Sequence, residues 1–264
     1  MTDTSEMTGE SNFKRPTRYD EVTFNGNKGE FFFRGKDAEK GDDGKYPKES
    51  LGKEMSVVFL KIRRVLQAKY KPNTPTLRTS EHNRKGDAVT LFEGSMKLGN
   101  VLADTILSKE RGLYTNQIIY CCFFSREEGK GEVARLIIKG SSLGSDKTAK
   151  GVMKFYDYMQ SFKDNDHLHN FFTKLVPVGE EGPNGTYYAI DFQRGEKLSE
   201  AQQKYVDSLI KEVHEAIQEN DRRFAVTAPD TQSSLPEIQA DDEEEEEDGA
   251  KYPEDNINPE DIPF

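Results

Sequence analysis

A chain of 264 residues with 34% hydrophobic and 32% charged residues has room for one sizeable core, and it carries more solvated sequence than a globular domain needs. Its net charge of −11 is unevenly spread: residues 229–264 hold 14 acids and one base, Lys251, for −13, while residues 1–228 hold 36 bases and 34 acids, for +2. The only cysteines, Cys121 and Cys122, are adjacent, and no apolar run approaches the roughly 18 residues of a membrane span, so a disulfide scaffold and a spanning helix are both excluded. The polar start, Met1 to Ser11, lacks the apolar core of a signal peptide. These features predict a soluble, cytoplasmic protein.

Along the chain, residues 1–12 are expected to be disordered, and Phe31-Phe32-Phe33 suggests a first strand. Residues 34–53, dense in Gly, Asp and Lys, read as a long loop. The clearest strand pattern runs from Met55 to Lys71, long enough to require a bend or bulge. Its even positions (Val58, Leu60, Ile62, Leu66, Ala68, Tyr70) read as a core face, with Arg64 the exception. Its odd positions (Val57, Phe59, Lys61, Arg63, Val65, Gln67, Lys69) read as an exposed face mixing an aromatic with bases. Further strands are expected at residues 88–93, 115–124, 132–139, 168–178 and 186–193, and residues 101–108 fit either helix or strand.

Two helices are expected. One is capped by Ser145 or Asp146 and reaches about Phe162, with Val152, Phe155, Tyr156, Met159 and Phe162 on one face. The other opens on Ser199 with Gln202 three residues on, a capping-box signature, and carries a stripe of Val206, Leu209, Ile210, Val213 and Ile217. Periodicity stops beyond Phe224. The expected architecture is therefore mainly β with added helices, an OB-fold-like barrel or curved antiparallel sheet over residues 13–226. A disordered acidic tail, residues 227–264, follows.

From Asp241 to Asp248 eight consecutive residues are acidic, a run that self-repulsion keeps extended. The sequence then ends Glu260-Asp261-Ile262-Pro263-Phe264. Two apolar side chains flanking a proline behind an acidic run have the chemistry of a peptide ligand: a ring to fill a pocket, a stiff backbone, and acids to meet a basic rim. This ending resembles the acidic tip of bacterial single-stranded-DNA-binding proteins. Asp261, Ile262, Pro263 and Phe264 match that tip residue by residue, and Glu260 matches conservatively; Ile257, Asn258 and Pro259 depart from the family's pattern. The resemblance covers less than a tenth of the chain. It implies that Glu260 to Phe264 recruit replication, recombination and repair proteins to exposed strands, as in a bacterial or phage single-stranded-DNA-binding protein near the nucleoid.

The same function is expected of a basic stretch. Between Lys61 and Lys85 stand eight bases (Lys61, Arg63, Arg64, Lys69, Lys71, Arg78, Arg84, Lys85) against one acid, Glu81. Phosphates need such cations, and unpaired bases stack on aromatic rings. Phe59 and Tyr70 flank the run as candidate stacking platforms, with Phe92, Tyr120, Phe123, Tyr187 and Tyr188 behind them, and Arg135 and Lys139 can extend the groove. A chain without tryptophan must also pack most of its Phe and Tyr in the core. The tail can lie in this groove when DNA is absent. Self-association is left open.

No phosphate loop, dinucleotide fingerprint or nucleophile elbow occurs. His167 and His169 beside Asp164 and Asp166 lack a second ligand cluster and read as a solvated turn, and the Gly- and Ser-rich residues 140–145 read as a flexible turn. The sequence thus points to a binding protein with no catalytic residue, metal or other cofactor. The alternatives are a DNA-processing nuclease with scattered carboxylates, and an adaptor or decoy that carries the tip without DNA affinity.

Overall fold

The computed structural model describes residues 19–41, 46–68, 74–84, 86–106, 113–124, 131–144, 151–162, 166–182 and 185–223. Among these residues eleven strands form in chain order: β1 Asp20–Asn25, β2 Glu30–Arg34, β3 Glu49–Gly52, β4 Met55–Ala68, β5 Leu77–Thr79, β6 Ala88–Glu93, β7 Met96–Leu102, β8 Leu113–Phe124, β9 Gly131–Ile138, β10 Phe171–Gly182 and β11 Gly185–Lys197. The α-helices are α1 Ala103–Ile106, α2 Phe155–Gln160 and α3 Glu200–Arg223. The strands join in the order β3-β2-β1-β9-β8-β4-β5-β6-β7, and the β10–β11 hairpin adds to the start of β4. This mainly-β sheet stays open. It is also mixed, because β1 runs parallel to β9, so the mainly-β expectation holds while the antiparallel sheet is modified at this one pairing.

Both faces of the sheet's centre are apolar, which is why β4 and β8 read as nearly continuous hydrophobic runs. One face carries Val57, Phe59, Ile119, Cys121 and Leu136 against α2 and the hairpin. The other carries Val58, Leu60, Ile118 and Cys122 against Val206, Val213 and Ile217 of α3. A third cluster, with Leu66, Val89, Leu91 and Leu113, holds the β5–β7 arm. The α3 stripe is the one expected from its spacing. Its capping box also forms: the Ser199 N–H donates to Gln202 Oε1 at 2.9 Å, and the Gln202 N–H donates to Ser199 Oγ at 3.3 Å. At the start of β9, a Cβ on Gly131 would run into Cys122 Sγ, so this close approach of strand to strand requires glycine.

The bulge expected in the long strand lies between Phe59 and Lys61 and has a large consequence. Phe59 pairs with Cys121 on one face, while Lys61, two residues later, pairs with Tyr120 on the other. Period-two parity is reset there. Phe59 is therefore not a companion of Lys61 and Arg63 but a core residue 2% exposed, edge-on to Tyr158 at 6.3 Å.

Elsewhere the structure adds what the sequence reading lacked. Strand β1 precedes the Phe31–Phe33 strand, β3 interrupts the expected loop over residues 34–53, and β5 and β7 complete the arm. Residues 101–108 divide between the end of β7 and α1, with 107 and 108 outside the described residues. Of the helix expected up to Phe162, the described residues form α2, and its expected caps, Ser145 and Asp146, lie outside the described residues. Residues 151–154 run beside β11 instead: the Met153 N–H donates to Asp191 Oδ1 at 2.7 Å and its carbonyl accepts from the Phe192 N–H at 2.8 Å. No helix among the described residues is long and apolar enough to cross a membrane.

Candidate nucleic-acid interface

Because the bulge aligns Lys61 with Tyr120, one row of residues crosses five strands on the α3 side of the sheet: Arg34 on β2, Glu21 on β1, Arg135 on β9, Tyr120 on β8 and Lys61 on β4. α3 covers only part of this face. Beside its last turns, Arg34, Glu21, Arg135 and Tyr120 of this row line a cleft of about 710 Å³, together with Gly35, Lys36, Ala38 and Tyr46 and with Arg78, Thr79 and Phe92 of β5 and β6. That volume lies within the range of about 300–1,000 Å³ usual for ligand sites.

The row is compensated internally. Arg34 donates to Glu21 at 2.8 Å. Glu81, from the segment after β5, accepts from the Tyr120 hydroxyl at 2.8 Å and from Arg135 at 2.6 Å. Its backbone carbonyl accepts from Arg63 at 2.8 Å, and Arg63 grips Asp221 of α3 with two bonds of 2.8 and 2.9 Å. Burial, reinforced by the Glu81 charge, drives the Tyr120 hydroxyl well above its ordinary range, so it stays protonated and donates.

Arg34, besides its bond to Glu21, belongs to a second set of contacts in which cations lie against aromatic rings. Arg34 lies over the Tyr46 ring at 4.8 Å and Lys40 approaches the same ring at 5.6 Å, while Arg78 lies over Phe92 at 5.4 Å. Tyr46 is 41% exposed. Cations set beside aromatic faces, with Lys36 also lining the cleft, can meet both parts of an extended strand. Guanidinium and ammonium groups meet phosphates, and rings meet bases.

The structure sorts the sequence candidates accordingly. Arg78, Arg135, Phe92 and Tyr120 line the cleft. Arg63 is corrected from a surface cation to an anchor: it is 3% exposed and held by Asp221 and Glu81, out of reach of a phosphate. Arg64 is buried too, and its backbone exchanges bonds with His82. Lys61 is half-buried, and desolvation with the neighbouring Arg63 charge lowers its pKa. Arg84 and Lys139 are exposed but do not line the cleft. Phe123 packs on Phe33 at 6.2 Å, and the Tyr187 hydroxyl donates to Glu180 at 2.6 Å, so both serve packing. The Tyr188 ring lies against Gly29 in the β1–β2 turn. Lys69, Tyr70, Lys71, Lys85 and the tip residues Glu260, Asp261, Ile262, Pro263 and Phe264 lie outside the described residues.

Sequence reading missed Tyr19, Arg34, Lys36, Tyr46 and the pivot role of Glu81. The interleaving of Lys36, Lys40, Lys45 and Lys48 with Tyr46 was the available signal, hidden within a segment read as a loop. Among the described residues, no group of three His, Cys, Asp or Glu side chains is placed to hold a metal ion. The His167 and His169 rings stack at 5.4 Å instead. Comparison with protein-family models, curated proteins and solved structures finds no match to this chain.

Proposed function

We propose that this chain is a single-stranded-DNA-binding protein that coats exposed strands during replication, recombination and repair, and that residues Glu260 to Phe264 recruit partner proteins. The observation that carries the reading is the cleft, lined by Arg34 with Tyr46 and by Arg78 with Phe92 and open to an extended chain. Phosphates would lie along Lys36, Arg78 and Arg34, and bases would stack on the two rings at about 1–3 kcal/mol each. A duplex keeps its base faces inside the stack and cannot use the rings. An open sheet flanked by loops binds in the manner of an oligonucleotide-binding barrel, with or without that barrel's topology.

Two further facts support the reading. The Asp-Ile-Pro-Phe ending resembles the recruiting tip of bacterial single-stranded-DNA-binding proteins. The acidic residues 229–264 also follow in sequence from a helix whose Ile217, Asn220 and Asp221 line the cleft. A polyanionic segment rooted there can compete with DNA for the same cations.

The test is the double variant Arg78→Ala, Phe92→Ala in the full chain. Its affinity for oligo-dT should fall by about 10- to 100-fold, because one phosphate contact and one stacking ring are lost. Unchanged affinity in a folded variant would place the DNA elsewhere. Magnesium-dependent cleavage of the labelled oligonucleotide would point to a nuclease instead, and an absence of any binding to a tip-bearing adaptor.

A further inference from the structure

A second register shift, between Leu91 and Phe92, places a cation where a regular ladder would place an apolar side chain. Leu91 pairs with Gly99, so an unbroken register would set Leu98 opposite Phe92. The bulge sets Lys97 there, and Leu98 packs instead against the apolar cluster of Leu91 and Val101. Re-aiming a side chain is what a bulge does. From Phe92 the pairing continues in the other direction: Phe92 with Arg78, Arg78 with Gln67, and Gln67 with Tyr114.

Directly paired residues share a face of a sheet, so Tyr114, Gln67, Arg78, Phe92 and Lys97 form one row across β8, β4, β5, β6 and β7. The stacking of Arg78 over the Phe92 ring accords with that shared face. Four strand spacings of about 4.8 Å give the row a length of roughly 19 Å. Its five positions hold two cations, two rings and an amide, and no carboxylate. The acid of β6, Glu93, pairs in the neighbouring row with Leu77 and Met96, on the opposite side of the pleat. Arg78 and Lys97 are exposed, and Phe92, Gln67 and Tyr114 are partly so. Only Arg78 and Phe92 of the row line the cleft, so the row carries its chemistry past the cleft onto the β5–β7 arm.

We propose that this row is a second segment of the nucleic-acid path, along which a single strand held at Arg78 and Phe92 continues beyond the cleft. Lys97 meets a phosphate and Tyr114 stacks on a base. The proposal rests on the single-strand reading above and adds the length of strand covered. It also gives the arm a role: β7, the last strand in the sheet order, carries the path to the sheet's edge.

The experiment is fluorescence anisotropy of the full chain with labelled oligo-dT of about 4 and about 16 nucleotides, the two ends of the range of single-strand site sizes, across a salt series. The variants are Lys97→Ala, Lys97→Arg and Tyr114→Leu. For the long strand, Lys97→Ala should lower the slope of log affinity against log salt by about one, and Lys97→Arg should keep it. A structural role for Lys97 would leave the slope unmoved. Tyr114→Leu keeps an apolar side chain without the ring and should weaken the long strand by roughly 5-fold or more. The short strand, held in the cleft, should be bound alike by all. Lys97, exposed on the last strand, decides the matter if Tyr114→Leu does not fold. An unchanged slope in Lys97→Ala, or equal losses for both lengths, would overturn the proposal. Should Arg78→Ala, Phe92→Ala still weaken binding in that case, the cleft reading survives alone; failure of the unaltered protein to bind either length would sink both.

Discussion

The Arg63–Asp221 pair allows the anchor role to be separated from a DNA role. Arg63 is 3% exposed, and its guanidinium spends three bonds on Asp221 and the Glu81 carbonyl; the Asp221 side chain is 48% exposed. Removing either partner therefore costs different amounts. Asp221→Ala leaves a buried guanidinium without its counter-charge, a loss of about 3 kcal/mol at the low end for broken buried pairs. Arg63→Met leaves a carboxylate that water can reach, so the loss should be nearer 1–2 kcal/mol. For a body of this size each kcal/mol moves Tm by roughly 2–4 °C, giving a fall of about 6–12 °C for Asp221→Ala and less for Arg63→Met. Thermal unfolding followed by circular dichroism would read both. In parallel, the salt dependence of oligonucleotide binding by Arg63→Met should keep its slope, since losing a phosphate ligand would lower it by about one. An unchanged Tm together with a reduced slope would refute the anchor assignment and return Arg63 to the DNA-binding surface.

Phe59 and Phe92 should behave oppositely: Phe59→Ala, in the core, should cost about 3–5 kcal/mol of stability, while Phe92→Ala should weaken oligonucleotide binding with little change in urea midpoint. Acid should destabilise the fold through His82, whose pKa is lowered to about 4 by burial. The unfolded chain takes up this proton near pH 6.5 and the folded one near 4, so stability present above about 6.5 is lost as pH falls through that window, by up to about 3 kcal/mol. Denaturant titrations should show His82→Gln flattening this slope; an equally steep slope in the variant would assign it to other groups. Deleting residues 229–264 should tighten oligonucleotide binding at low salt and abolish capture of tip-binding partners, and unchanged affinity after truncation would exclude competition by the acidic segment.

The sequence disclosed those parts of the fold in which local pattern and tertiary environment agree. The α3 stripe and its Ser199–Gln202 capping box depend on neighbours three and four residues apart, and both formed as read. Strands β6, β8, β9 and β11 were legible because each is a bounded run of β-branched and aromatic residues. Phe59 was misread because a bulge changes parity by one residue, and the bend foreseen in that strand carried no position with it. Arg63 was misread because its partner lies 158 residues away on α3, beyond any local pattern. The parallel pairing of β1 with β9 is invisible for the same reason. The cleft was half legible: Arg78, Arg135, Phe92 and Tyr120 were named, whereas only the sheet order brings Tyr46 and Arg34 into one cleft with β5 and β6.

Titrating the full chain with a labelled unstructured single strand and with its duplex, across a series of salt concentrations, tests the proposed function most directly. The single strand should bind more tightly than the duplex, with log affinity falling linearly against log salt as phosphates meet the cleft cations. Equal binding of duplex and single strand, or no binding in dilute buffer, would contradict it.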